Sequence, residues 1–521
     1  MATQKATNTN VLPRNLQPNT FNYKLITKMK KAITLSFLFI LTLGFSQKIG
    51  KLNLKLNDSL KSYKKRVLET AEIDLLTSFY TQDGDNAAVT GGIGNENLQD
   101  YAMDINVAIP VNDDDVLSVN ATVSAYTSAS SSNLNPFSSG ASSGDDDDDD
   151  RIMPSVPVVV TGSPWVASSG ASKSDVWASG KFGYSHSSDN RNNIYNGHIS
   201  FATEFDYTSF GLGAGYAHLF NEKNTEISGS FNAYFDTWNP KYPTEIHTYV
   251  KTNGNLNADF FNGIPILDQN GFPIDKNQPD AWKPVNNTLI VDKGRNTYSV
   301  SLSFSQILSK KSQFAIFSDL IVQKGWLSNP MQRVYFADKD NFYIGDPADI
   351  SNYTNSSNKN VFQLADDIER LPDNRFKLPI GIRFHQYIND KLVFKTFYRY
   401  YFDDWGITAH TFNVELPIKI GNGKYTLYPN YRYYTQTQAD YFYPYEKATS
   451  NLAFYTSDYD LSKYNANQFG LGFKYYDVYT RKHISFFGLK NLTLNYNYYK
   501  RNTGLKAHIV SFGALFVFDK K

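Results

Sequence analysis

Six consecutive aspartates, Asp145, Asp146, Asp147, Asp148, Asp149 and Asp150, form the densest run of metal-type ligands in the chain, between Ser/Gly-rich flanks. Like charges packed this tightly repel, so the run is expected to be an extended, solvated loop unless cations neutralise it. Hard carboxylate oxygens suit Ca²⁺ or Mg²⁺, but the spaced ligands and glycine bend of an EF-hand loop are missing, so the expected binding is weak. Asp113-Asp114-Asp115 reads as a charged turn. His410 lies near Asp403-Asp404 and offers a hydrolase-like fragment; turn acids and an interfacial imidazole account for the same residues. No Gly-x-Ser-x-Gly elbow, HExxH zinc helix or phosphate-cradling glycine loop stands out, so no catalytic residue is assigned and the chain is not read as an enzyme.

Composition narrows the classes further. Lys+Arg number 51 against 50 Asp+Glu, so no basic excess speaks for a nucleic-acid partner. The absence of cysteine excludes disulfides, Cys-ligated metals, thiol catalysis and a lipidated N-terminal cysteine. Aromatic residues make up 15% of the chain, with 37 tyrosines, in a sequence that is otherwise polar. Those rings need an unusual environment.

A second set of charges recurs with period two. Asp74, Asp104, Glu204, Asp206, Asp236 and Asp319 fall on the polar alternates of the earlier segments. Arg383, His385, Lys395, Arg399, Glu415 and Arg432 do so in the later ones. Such alternation is that of β-strands, whose successive side chains point to opposite faces. Between Lys490 and Tyr498, for example, Leu492, Leu494, Tyr496 and Tyr498 share one face, and Asn491, Thr493, Asn495 and Asn497 the other.

Segments of this kind are read at 71–81, 101–110, 116–127, 174–187, 194–206, 210–220, 225–238 and 295–308. The others are 312–323, 376–387, 391–402, 406–420, 424–437, 466–478, 484–499 and 506–518. Every long connection (82–100, 128–173, 239–294, 324–375 and 438–465) has an odd position in the series, and the even connections are all short. Short turns at one end and long loops at the other are the pattern of a transmembrane antiparallel β-barrel. A lipid-facing sheet has to close, because an open edge would leave backbone groups unpaired in hydrocarbon. The expected fold is therefore all-β: a single transmembrane barrel over 71–521 with about sixteen strands, fourteen and eighteen being the neighbouring counts. Aromatic runs such as Phe397 to Phe402, Tyr431 to Tyr434 and Tyr441 to Tyr443 are expected at the headgroup girdles.

The chain also carries an address. Met29-Lys30-Lys31 precede fourteen uncharged residues, Ala32 to Phe45, and then Ser46. This is a signal-peptide pattern over 29–46, too short for a membrane helix. Residues 1–28 read as a gene-model extension, and 47–70 as a periplasmic lead segment.

The strings Ser78 to Asn97 (SFYTQDGDNAAVTGGIGNEN), Leu117 to Phe137, Asp175-Val176-Trp177 and Tyr398 to Thr411 (YRYYFDDWGITAHT) resemble the domain of unknown function 3570 family. The resemblance spans nearly the whole mature chain. It implies an outer-membrane protein of the Bacteroidota type, and it brings no established catalytic set.

The expected function is passage of small polar or ionic solutes through a charged lumen in the cell outer membrane, with both termini periplasmic. In that lumen the acidic residues named above occupy one arc of wall and the mostly basic ones the other, which would set a transverse field. The alternative is a closed barrel whose long loops bind a metal, a polysaccharide or a protein. Expected partners are outer-membrane lipid and small solutes or ions, with a homo-oligomer or another outer-membrane or periplasmic protein left open. No cofactor is expected beyond Ca²⁺ or Mg²⁺ held weakly by Asp145 to Asp150.

Overall fold

A computed structural model describes residues 66–127, 174–289, 293–354, 360–477 and 479–518, all within one compact unit, Lys61–Lys521. Residues 29–46, read as a signal peptide, residues 1–28, read as an extension, and most of 47–70, read as a lead segment, lie outside the described residues. So does the whole aspartate run expected to attract a cation, namely Asp145, Asp146, Asp147, Asp148, Asp149 and Asp150.

Sixteen strands form one antiparallel sheet that closes on itself. In chain order they begin with β1 (Glu72–Asp83), β2 (Leu98–Pro110), β3 (Asp115–Thr127) and β4 (Ser174–Ser187). Next come β5 (Asn193–Glu204), β6 (Tyr207–Phe220), β7 (Thr225–Trp238) and β8 (Lys293–Ser309). The second half starts with β9 (Ser312–Gly325), β10 (Asn374–Asn389) and β11 (Leu392–Asp403). It continues with β12 (Thr408–Glu415, resumed at Ile418–Ile420), β13 (Tyr425–Gln436), β14 (Tyr464–Tyr476), β15 (Phe487–Arg501) and β16 (Lys506–Phe518). Each strand pairs with its neighbours in sequence, and the ring closes where β1 pairs with β16, Leu76 opposite Gly513.

The register shows why alternation is decisive. Residues directly opposite in a ladder share a face, so one inward residue fixes the face of every strand. Phe182, Ile199 and Leu212 lie opposite one another on β4, β5 and β6, and all three are exposed. So are Leu302 and Ile316 further round, and Leu494 and Phe512 near the closure. This apolar face points away from the barrel. Most strands run 12 to 17 residues, against the roughly 9–11 that a tilted strand needs to cross hydrocarbon. Among the described residues no helix is long and apolar enough to cross a membrane; the element with the length, closure and outward apolar surface for it is the barrel.

Rings and imidazoles band both ends of the outer face. Near the short turns, His186, Tyr195, Tyr216 and His218 form a chain of ring contacts across β4, β5 and β6. Near the long loops, His410 lies against Tyr398 and Tyr400, and His508 against Tyr496 and Tyr498. The aromatic runs need correction in detail. Alternation sends only Tyr398, Tyr400 and Phe402 of the first run outward, while Phe397 and Tyr401 face in with Arg399. Tyr441-Phe442-Tyr443 is not in the barrel wall at all: Tyr441 packs on Trp405 and Phe454, and Phe442 on Tyr459.

Most strand bounds move by one to three residues, and two readings run across a turn or a break. The segment read as 194–206 stops at Glu204, which pairs with Tyr207, leaving Phe205-Asp206 as a two-residue turn. The segment read as 406–420 is interrupted at Leu416-Pro417, where a proline without N–H cannot donate to the ladder.

The largest buried side chains lie in the loops. Trp282, Tyr335, Tyr353, Phe261, Phe336 and Phe362 are fully buried, all from 239–289 or 326–373. The first loop contributes helix α1 (Thr244–Lys251), and the second contains two short ladders, Arg333–Val334 with Asp367–Ile368 and Tyr343–Gly345 with Val361–Gln363. A barrel wall with a polar inner face has no dry core, so the apolar residues of the loops build one among themselves.

Candidate functional site

The inner face follows from the register. Asp74 lies opposite Asn106, which lies opposite Asn120 and then Lys181. The same face carries Asp104, Glu204 and Asp236 on β2, β5 and β7, and Asp319 on β9. On β10 and β11 it carries Arg383, His385, Lys395 and Arg399, and on β12 and β13 Glu415 and Arg432. Asp206 is not in a strand: it sits in the turn between β5 and β6, because Glu204 and Tyr207 already close that hairpin.

The structure brings several of these residues together with partners on adjacent strands. Asp104 accepts hydrogen bonds from Asn120 (2.8 Å) and Thr122 (2.6 Å). Asp236 accepts from Ser209 (2.7 Å) and pairs with Arg295 at 3.1 Å. Lys395 pairs with Glu415 at 2.8 Å. Arg383 lies over the rings of Phe317 and Phe397, at 4.7 and 5.9 Å. Asp319 and Arg432 make no side-chain hydrogen bond or ion pair among the described residues, and the buried Arg399 Nε has no hydrogen-bond partner there. The expected division into an acidic and a basic arc is only partial. Lys181 and Arg295, which the sequence reading does not include, both stand on the arc read as acidic. Their own alternation, in step with Ser179 and Thr297, carries that information.

His410 and Asp403 do not form a catalytic pair. His410 faces outward and bonds the Tyr398 hydroxyl (2.8 Å). Asp403 faces inward, where it holds Arg375 and accepts from the backbone N–H of Trp405 and Ile407. The sheet lies between them. Among the described residues no group of three or more His, Asp or Glu is disposed to hold a metal ion. Asp145, Asp146, Asp147, Asp148, Asp149 and Asp150, the expected weak cation ligands, fall outside those residues.

Among the described residues, the inner wall is buried near the loop end and carries exposed charges towards the turn end. Near the loops, inner-face Ala409, Thr411, Ala466 and Ala507 are almost wholly buried. Towards the turns, Asp74, Lys181 and Arg383 are exposed. Among the described residues, the covering joins four loops. In a ring of sixteen, β9 lies eight places from β1 in either direction, so their loops spring from opposite walls. Arg333 of the β9–β10 loop nevertheless donates through Nη1 to the Val89 carbonyl of the β1–β2 loop at 2.8 Å. Its other guanidinium nitrogens grip Glu245 of α1, Nε to Oε1 at 2.7 Å and Nη2 to Oε2 at 3.1 Å. Its backbone carbonyl accepts from Ser457 of the β13–β14 loop. Both members of the Arg333–Glu245 pair are buried. A charge pair taken that far from water is held only if its remaining hydrogen bonds are met, and Val89 meets one of them.

Close approach explains two glycines of the β1–β2 loop. Gly91 and Gly92 adopt φ of 82° and 87°. A Cβ on Gly91 would stand 2.5 Å from the Tyr335 ring, and one on Gly92 would stand 2.8 Å from the Ser457 carbonyl. Asp367 completes the junction by pairing with Arg370 at 2.9 Å and accepting from the Tyr455 hydroxyl at 2.5 Å.

A closed sixteen-strand antiparallel barrel, apolar outside and polar inside, with its loop-end mouth spanned by a folded loop junction, defines a porin-like class of membrane barrel. Within it, the chain belongs to the family described as "Protein of unknown function (DUF3570)", whose profile matches residues 49–510. No curated protein matches the chain. Similar solved structures include a bacterial polysaccharide outer membrane secretin at 8% identity and TM-score 0.38, covering 86% of this chain and 98% of that one. Pseudomonas aeruginosa OccK9 (OpdG) is similar at 7% identity and TM-score 0.36, covering 86% and 98%. The Pseudomonas putida toluene transporter TodX is similar at 7% and 0.34, covering 87% and 90%.

Proposed function

We propose that this chain is an outer-membrane channel for small polar or ionic solutes, with both termini in the periplasm and its outer mouth held shut by its own loops. The observation that carries this reading is the contrast along the described inner wall: exposed charges towards the turn end, and burial beneath the Arg333 junction at the other. Passage is passive and involves no bond chemistry; the wall supplies charge and the loops supply the gate. Sixteen strands enclose enough space for an aqueous path when no loop fills it. The solute class follows from the inner face, where hydroxyls, amides and unpaired charges such as Asp319 and Arg432 would replace part of a hydration shell.

The test is a reversal potential measured across a planar bilayer in a salt gradient. Asp319→Lys should move selectivity towards anions and Arg432→Glu towards cations. Unchanged selectivity in both variants, from protein shown to conduct, would remove the inner wall from the account.

A further inference from the structure

The β1–β2, β9–β10 and β13–β14 loops bring four carboxyl groups, Glu96, Glu369, Asp458 and Asp460, near a single guanidinium, Arg501. Glu369 is buried, its Oε1 accepting from the Asn329 N–H (2.6 Å) and its Oε2 from the Thr456 hydroxyl. Asp458, from the opposing loop, accepts from Gln332 Nε2 at 3.3 Å. Asp460 and Glu96 lie close enough to act on Asp458 or on each other. Arg501, paired with Asp460 at 2.5 Å, is the guanidinium that offsets this group; Arg333 is committed to Glu245.

One atom points to what is missing. Gln332 is 9% exposed, and while its Nε2 faces Asp458, its Oε1 is buried with no hydrogen-bond partner. An orphaned buried carbonyl oxygen costs about 1–3 kcal/mol. Turning the amide does not relieve it, because the flip sets oxygen against the Asp458 carboxylate.

We propose that Glu369, Asp458 and Gln332 Oε1 form a site for one divalent cation of the Ca²⁺ class, tying the β9–β10 loop to the β13–β14 loop. The donors are all oxygens, as a hard cation requires, and Ca²⁺ tolerates the irregular geometry that loops provide better than Mg²⁺ does. Two carboxylates and one amide oxygen make a site of modest charge. Without a cation, burial pushes Glu369 up to about 8 and Asp458 up to about 6, so protons are the competing occupant. None of its three residues belongs to the aspartate run Asp145 to Asp150.

The experiment is calorimetric titration of the refolded full chain with Ca²⁺ at pH 8, after chelator dialysis, with Asp145, Asp146, Asp147, Asp148, Asp149 and Asp150 all replaced by asparagine. The expected result is saturable binding of one Ca²⁺, lost in Glu369→Gln/Asp458→Asn and weakened in Gln332→Leu. Each variant is checked for the folded barrel by its resistance to heat denaturation on a gel. No Ca²⁺ binding by the asparagine-replaced chain would overturn the proposal. So would equal binding by the folded double variant.

Discussion

The Arg333 guanidinium donates to the Val89 carbonyl at 2.8 Å, although their loops rise from diametrically opposite walls of the barrel. Contacts of this span turn a set of surface loops into a lid. They also make the lid depend on a few buried groups, and this gives it testable weak points.

Arg333→Met should loosen the loop junction while leaving the barrel intact. It strands the Glu245 carboxylate in a dry site, which costs about 3–5 kcal/mol. Limited proteolysis should cut within 326–373 far faster than in the parent protein, while the strands stay protected. Arg333→Met with Glu245→Leu removes both charges, and protection should largely return. If the double variant is as fragile as the single one, packing rather than charge holds the junction.

Gly91→Ala is expected to have a similar effect from the other wall. The added methyl meets the Tyr335 ring at 2.5 Å, on a backbone whose φ of 82° already disfavours a side chain. Hydrogen exchange should rise in both the β1–β2 and β9–β10 loops. A rise confined to 84–97 would show that the two loops are not coupled.

A pH effect follows from Asp366. Burial pushes its carboxyl up to about 7 from 3.8, while it accepts from the Phe336 N–H. The folded loops thus hold a proton that the unfolded loops release. This stabilisation is complete below about pH 3.8 and is lost as pH rises through about 7. Protease resistance of the loops should fall between about pH 5 and 8, and Asp366→Asn should reduce that fall, leaving the part due to the raised Glu369 and Asp458.

The barrel was legible in the sequence and the lid was not, for reasons visible in particular residues. Strands 174–187, 225–238 and 506–518 match their sequence readings to the residue, because a wall between lipid and water imposes a strict period of two. The strand reading overruns at Asp206 because alternation continues formally into the turn after Glu204. Trp282, Tyr335 and Phe362 give no warning: they pack together from separate stretches of loop, and no fixed spacing links them. Tyr441-Phe442-Tyr443 looks like a girdle for the same reason, since an aromatic run does not reveal whether lipid or another loop receives it. The string Ala88 to Gly94 (AVTGGIG) reads in the sequence only as part of a family resemblance; its glycines mark where the opposite loops touch.

Single-channel recording of the parent protein beside Arg333→Met, both shown to be folded, tests the central claim most directly. A channel closed by its loops predicts rare or small openings for the parent and long-lived, larger openings for the variant at the same voltage and salt. A variant as silent as the parent, with its loops shown to be protease-sensitive, would contradict the gated-channel reading and leave the loops as a binding platform on a sealed barrel.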